Sequence, residues 1–145
     1  MASVVSLNIS EKKGTVKVEI SEATFKVDHG IVGDAHAGDW HRQVSLLGIE
    51  SVDKMTKLGA EGLINGSFAE NITTEGIDLY SLEIGTRFEI GETIQELTQI
   101  GKKCHKGCAI SLTVGSCIMP KEGIFTKVIK PGVVRKGDII NIIEG

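Results

Sequence analysis

The chain has 145 residues, 41% of them hydrophobic and 24% charged, with a formal net charge of −3; this suits one domain over residues 1–145 with one core. A net negative balance argues against a general nucleic-acid binder, which needs a basic face, and the lack of any run of 18 apolar residues argues against a membrane-spanning helix. The N-terminal stretch has no basic segment followed by a sustained apolar one, and three cysteines are an odd count for a disulfide framework, so the expectation is a cytoplasmic protein with reduced thiols.

The first elements are strands. "ASVVSLNIS" and "GTVKVEISEATFKV" are rich in Val, Ile and Thr and partly alternate, which predicts two or three strands up to about Val27. "DHGIVGDAHAGDWHRQ" follows with Gly30, Gly33 and Gly38 among His29, His36 and His41; it is too polar and too interrupted for a core element and reads as a loop. "QVSLLG" is a short strand. In "IESVDKMTKLGAEG", Val52, Met55 and Leu58 stand at helical spacing, so an amphipathic helix is predicted to end near Gly59.

From "GSFAENITTEGIDL" to "ETIQELTQI" the pattern returns to strands, with Gly85 and Gly91 at turns. The C-terminal "GIFTKVIKPGVVRKGDIINIIEG" reads strand, turn, strand, with Pro131-Gly132 as the turn signal and a last strand over Ile139 to Ile143. Many strands, one or two short helices and no βαβ alternation predict a mostly-β barrel.

Three stretches can carry chemistry. In "IGKKCHKGCAI", Cys104 lies among Lys102, Lys103, His105 and Lys106. Neighbouring cations favour the thiolate, which is both the nucleophile and the metal-binding form of cysteine. Cys108, beside Gly107, Ala109 and Ile110, reads equally as buried filler or as a second thiol. A structural zinc held by Cys104, Cys108, His36 and His41 is an alternative, although the histidine spacing fits no standard finger. A redox pair is disfavoured by the absence of Cys-x-x-Cys.

The second stretch gathers Asp34, His36, Asp39, His41 and Arg42 on a glycine-bent loop, where Arg42 suits bidentate contact with a phosphate. The third places Asn71 with Thr73 and Thr74 at a strand end, as ligand contacts or as turn chemistry. Trp40 packs over the site or caps the barrel; both readings stand.

Taken together, "GIVGDAHAGDWHRQVSL", "FAENITTEGIDLYSLEIGTRFEIG", the cysteine in "GKKC" and the terminal "GDIINI" resemble the MOSC domain, the C-terminal domain type of molybdenum cofactor sulfurases, over about Gly30 to Ile143. The match is to a stand-alone prokaryotic type without an aminotransferase-like neighbour. The resemblance implies a MOSC-type β-barrel and a molybdopterin-type cofactor carrying molybdenum or tungsten. It also implies that Cys104 holds sulfur as a persulfide or ligates the metal, with Cys108 as a relay or as the reactive thiol in its place. Arg42, Asn71, Lys102, Lys103, His36 and His41 become cofactor contacts.

Lys103 stands where the family more often has arginine, and Ala69 where it often has glycine. The implied partners are a cysteine desulfurase or a molybdoenzyme, and the implied activity is sulfur transfer or a part in a molybdenum-dependent reductase. Pyridoxal phosphate, which belongs to the neighbouring domain of eukaryotic sulfurases, is not expected here. A carrier that hands on molybdopterin without chemistry is the other functional reading.

Overall fold

The computed structural model describes residues 2–10, 18–35, 37–40, 42–50, 53, 70–100 and 123–143. Its strands are β1 (Ser3–Ile9), β2 (Val18–Ile20), β3 (Glu22–Lys26), β4 (Gly30–Ile31), β5 (Val44–Gly48), β6 (Ile72–Glu75), β7 (Arg87–Ile90), β8 (Thr93–Ile100), β9 (Ile124–Lys130), β10 (Gly132–Arg135) and β11 (Ile140–Ile143). A 3-10 turn covers Leu79–Ser81. The mostly-β expectation holds.

Eight strands form one sheet in the order β11-β7-β8-β9-β5-β6-β1-β2, and β10-β3-β4 form a second. The large ladder is not closed by a continuous run of pairs. However, an antiparallel bridge joins Ser3 to Ile139. Around it Val4 N donates to Asp138 O at 2.8 Å, Gly137 N to Val4 O at 2.8 Å and Ile140 N to Ala2 O at 2.9 Å. The approach to β11 thus meets the beginning of β1, so the sheet curls until its ends touch at one bridge. The mostly-β class is met, but the described pairs do not close the sheet into the expected barrel.

Alternation explains the thin strands. β3 buries Ala23 and Phe25 and exposes Glu22, Thr24 and Lys26, the pattern of a strand with one wet face. β5 is buried along its whole length because it lies between β9 and β6 with both faces covered. Leu46 opposes Ile72 and Ile124, and Ile72 opposes Leu7. Residues directly opposite share a face, and all four belong to the core cluster with Phe25, Phe88, Ile90, Leu97 and Val134. Each such fully buried side chain contributes about 1.5–3 kcal/mol.

Two features depart from the sequence reading. β5 and β6 run parallel, which a tight turn cannot connect. Ile49, Glu50 and Asp53 of the crossover are helical, and the rest of the predicted helix lies outside the described residues. Second, Pro131-Gly132 does not close a hairpin. β10 pairs with β3 rather than with β9, so the chain changes sheets at Pro131. A Cβ on Gly132 would stand 2.7 Å from Glu92 Cβ and 2.8 Å from its carbonyl oxygen, which is why glycine fits there.

Gly30 is the second glycine that the fold requires. Its φ is +110°, and a Cβ there would lie 2.7 Å from the Gln43 carbonyl oxygen. The close approach sets the two ends of the predicted loop against each other. Gly30→Ala combines backbone strain with a backbone clash, and should cost about 3 kcal/mol. A urea-unfolding midpoint equal to wild type would show that the loop tolerates separation.

Candidate functional site

The glycine-bent loop is held at one end of the large sheet by its own polar groups. Asp34 Oδ1 accepts from Ser10 N at 3.1 Å, and Ala35 N donates to Ser10 O at 2.7 Å. Gln43 Oε1 accepts from Val128 N at 3.0 Å. The loop is therefore fastened to the residue after β1 and to β9 before β5 begins. Asp34 is buried, whereas Asp39 and Trp40 are exposed.

At the same end, Asn71 precedes β6 and is 1% exposed. Its Oδ1 accepts from Ser45 N at 2.9 Å and from Ser45 Oγ at 3.1 Å, and its Nδ2 donates to Asn8 O at 3.1 Å. Its backbone N–H faces Ser45 O at 2.8 Å. One side chain thus ties β1, β5 and β6. Beside it, Asn8 Nδ2 donates to Glu70 O and to Thr73 Oγ1, each at 3.2 Å, while Thr73 Oγ1 donates to Glu70 Oε2 at 2.9 Å. Ser6, Asn8, Ser45, Asn71 and Thr73 alternate with the core residues of their strands and form a polar face behind the apolar one.

Arg42 is half-buried one residue before Gln43. Its guanidinium carbon lies 5.2 Å from the centroid of the Trp40 ring and 5.5 Å from that of Phe125. Phe125 is 6% exposed and opposes Ser45 in register. Such cation–π contacts contribute about 0.5–2 kcal/mol. Arg42 Nε is buried without a hydrogen-bond partner among the described residues. The Asn8 Oδ1, Ser6 Oγ and Thr74 Oγ1 atoms are buried and unpartnered in the same way.

The structure thus brings two of the predicted site residues, Arg42 and Asn71, to one end of β5, linked through Ser45 and with no hydrogen bond between them. His36, His41, Lys102, Lys103, Cys104 and Cys108 lie outside the described residues. The zinc reading falls on that same set. Among the described residues no group of three or more His, Cys, Asp or Glu side chains is placed to hold a metal ion. Ile100 and Ile124, which flank the thiol-bearing segment, oppose each other in register.

Sequence reading missed Asn8, Ser45, Glu70 and Phe125 as parts of this end. A signal for Asn8 was present: Ser6, Asn8 and Ser10 alternate in an otherwise apolar strand, which marks a polar face.

The fold and site define a class: a curled, mostly-β sheet carrying a polar, arginine-bearing end. Residues 33–141 match the sequence model of the MOSC domain, and the chain belongs to this family. Among curated proteins none matches it. Of solved structures, the YuaD protein from Bacillus subtilis is similar with a TM-score of 0.81 at 21% identity, over 100% of this chain and 97% of that one. YiiM from Geobacillus stearothermophilus gives 0.75 at 16% identity, over 99% and 76%. YiiM from Escherichia coli gives 0.70 at 20% identity, over 100% and 71%. These likenesses establish a shared fold. Among the described residues no helix is long and apolar enough to cross a membrane.

If the Asn71 amide is what ties the three strands, Asn71→Ala leaves Ser45 N and Asn8 O without their partners. The expected loss is about 3 kcal/mol, read as a lower denaturant midpoint with unchanged slope. Ser45→Ala, which removes only the hydroxyl, should cost about 1 kcal/mol.

Proposed function

We propose that this protein binds a molybdopterin-type cofactor at the Arg42–Asn71 end of the sheet and carries sulfur on Cys104, or ligates molybdenum or tungsten through it. The observation that carries this reading is the convergence of two stretches, residues 30–43 and 70–74, at one polar end where Arg42 Nε is buried without a hydrogen-bond partner. A guanidinium with an unsatisfied donor, lying over two rings, fits a ligand with both phosphate and a planar heterocycle. When bound, the cofactor supplies a dithiolene-held metal centre for atom transfer.

The chain's own residues do the rest. Arg42 orients the anionic part. Asn71 supports the site from within, since its amide is spent on Ser45 and Asn8. Lys102 and Lys103 keep the Cys104 thiol ionised and add positive potential toward an anion, with His36 and His41 as further contacts and Cys108 as a relay thiol.

Sulfur loading is a balanced exchange. The Cys104 thiolate attacks the outer sulfur of a cysteine desulfurase's persulfide, the S–S bond to the desulfurase breaks, and its cysteine departs as a thiolate. No external oxidant is consumed. The setting is the cytoplasm, where thiols stay reduced, and the partners are the desulfurase and a molybdoenzyme that receives the sulfur or the cofactor. The protein acts as one domain, as a sulfur transferase or as part of a molybdenum-dependent reductase.

Intact mass spectrometry after incubation with a cysteine desulfurase and cysteine tests the sulfur step. Wild type should gain roughly 32 Da, the mass of one sulfur, and Cys104→Ser should not. An adduct retained by Cys104→Ser but lost in Cys108→Ser would move the role to Cys108. With no adduct on wild type, molybdopterin binding that survives Cys104→Ser and weakens in Arg42→Ala would instead identify a carrier that does no sulfur chemistry.

A further inference from the structure

At the far end of β5 from Arg42, a second buried polar atom lacks a partner. Thr74, in β6, is fully buried, and its Oγ1 has no hydrogen-bond partner among the described residues. It opposes Gly48, the last residue of β5. A threonine hydroxyl can give one hydrogen bond and accept two, and leaving it unpaired in the interior carries a free-energy cost.

The neighbours of this hydroxyl are oxygens. Outside its own chain neighbours, the three heavy atoms nearest to where a Cβ on Gly48 would stand are Glu50 Oε1 at 2.9 Å, Thr74 Oγ1 at 3.8 Å and the Ile77 carbonyl oxygen at 3.9 Å. They come from the start of the crossover, from β6 and from the segment that leads into the 3-10 turn. The Glu50 carboxylate is oriented, because its Oε2 accepts from Gly76 N at 2.8 Å. Its Oε1 and the Ile77 oxygen receive no hydrogen bond among the described residues.

Gly91 offers a contrast. A Cβ there would also meet oxygens, those of Asp138 and Val133. Each of these has a donor: Arg135 N lies 2.7 Å from Asp138 Oδ2, and Glu92 N lies 3.2 Å from Val133 O. The oxygens around Gly48 have no such donors among the described residues.

We infer that Gly48, Glu50, Thr74 and Ile77 frame a binding site for a hard cation of the calcium or sodium type, held by Glu50 Oε1, Thr74 Oγ1 and the Ile77 carbonyl oxygen. Carboxylate, hydroxyl and carbonyl are the donors such ions take, whereas nitrogen and sulfur donors would suit transition metals. Glu50 is exposed, so water can complete the shell on that side. Glycine at position 48 is part of the site, since a side chain there would stand among the three oxygens. The bound ion ties the crossover to β6 and to the turn that brings Leu79 into the core. Its effect is therefore on stability, and it is independent of the cofactor reading.

The test is urea unfolding of the full chain in calcium chloride and in sodium chloride, each against tetramethylammonium chloride at matched ionic strength. A single carboxylate places the calcium dissociation constant at about 1 mM. Calcium at about ten times that concentration should raise the folded-to-unfolded ratio roughly tenfold. A saturable gain in sodium chloride without one in calcium chloride keeps the site and makes it monovalent. Glu50→Gln, which retains an acceptor for Gly76 N, and Thr74→Val, which retains the shape, should each reduce the gain to less than about twofold. No gain in either salt, the result if water alone bridges these oxygens, overturns the site. An undiminished gain in either variant, once circular dichroism shows it folded, overturns it as well.

Discussion

The clasp between Asn71 and Ser45 is the contact on which this end of the molecule depends. β5 and β6 are parallel neighbours, so no hairpin fixes their relative position. Their short ladder is extended by Asn71, whose Oδ1 takes the Ser45 amide and hydroxyl while its own N–H faces Ser45 O. The remaining amide hydrogen bond runs to Asn8 and brings in β1. Because Ser45 is held at its amide, hydroxyl and carbonyl, the start of β5 is fixed. Arg42, three residues earlier, inherits that position.

A polar face behind an apolar one is an expensive arrangement, since buried polar groups cost free energy unless they are paired. The chain meets most of the cost with local pairs: Asn8 with Glu70 and Thr73, Thr73 with Glu70, Gln95 with Thr93 and Thr126. Pairing across strands also resists a register slip, because a shift of one residue would drive Leu7, Leu46 and Ile72 onto the polar side. The atoms left over are Ser6 Oγ, Asn8 Oδ1, Thr74 Oγ1 and Arg42 Nε. Three of them belong to β1 and β6 and the fourth to the loop they support. Asn8 and Arg42 lie toward the Asn71 end, whereas Thr74 opposes Gly48 at the other end of β5.

Local features were legible in the sequence, and non-local ones were not. The alternation in "EATFK" gave a strand with one wet face, and the crowding of Gly30, Gly33 and Gly38 gave a loop, because both follow from neighbours along the chain. The partner of β10 did not follow. Pro131-Gly132 looks the same whether the chain folds back on itself or steps to another sheet, and what decides is the fit of Gly132 against Glu92 across space. The parallel pairing of β5 and β6 was hidden for the same reason. Asn71 was legible as a polar residue at a strand end, but its three-strand role depends on Asn8 and Ser45, which are 63 and 26 residues away. Trp40 could not be divided between packing and capping from sequence, since one of its neighbours is the guanidinium of Arg42, whose position depends on β5 and β9.

The pairing of Ile100 with Ile124 has a physical consequence of its own. Ile100 and Ile124 oppose each other in register, so the chain segment between them begins and ends on paired residues. Closing such a segment costs entropy that grows only slowly with its length, and β8 and β9 pair on their own residues. The chemistry carried between them can therefore vary in sequence without altering the ladder. What the ladder does dictate is the point of return: Phe125, the residue after Ile124, is the ring on which Arg42 rests. Phe125 also opposes Ser45 across β5 and β9, so a change at Phe125 would act on the Arg42 guanidinium and on that strand pairing together.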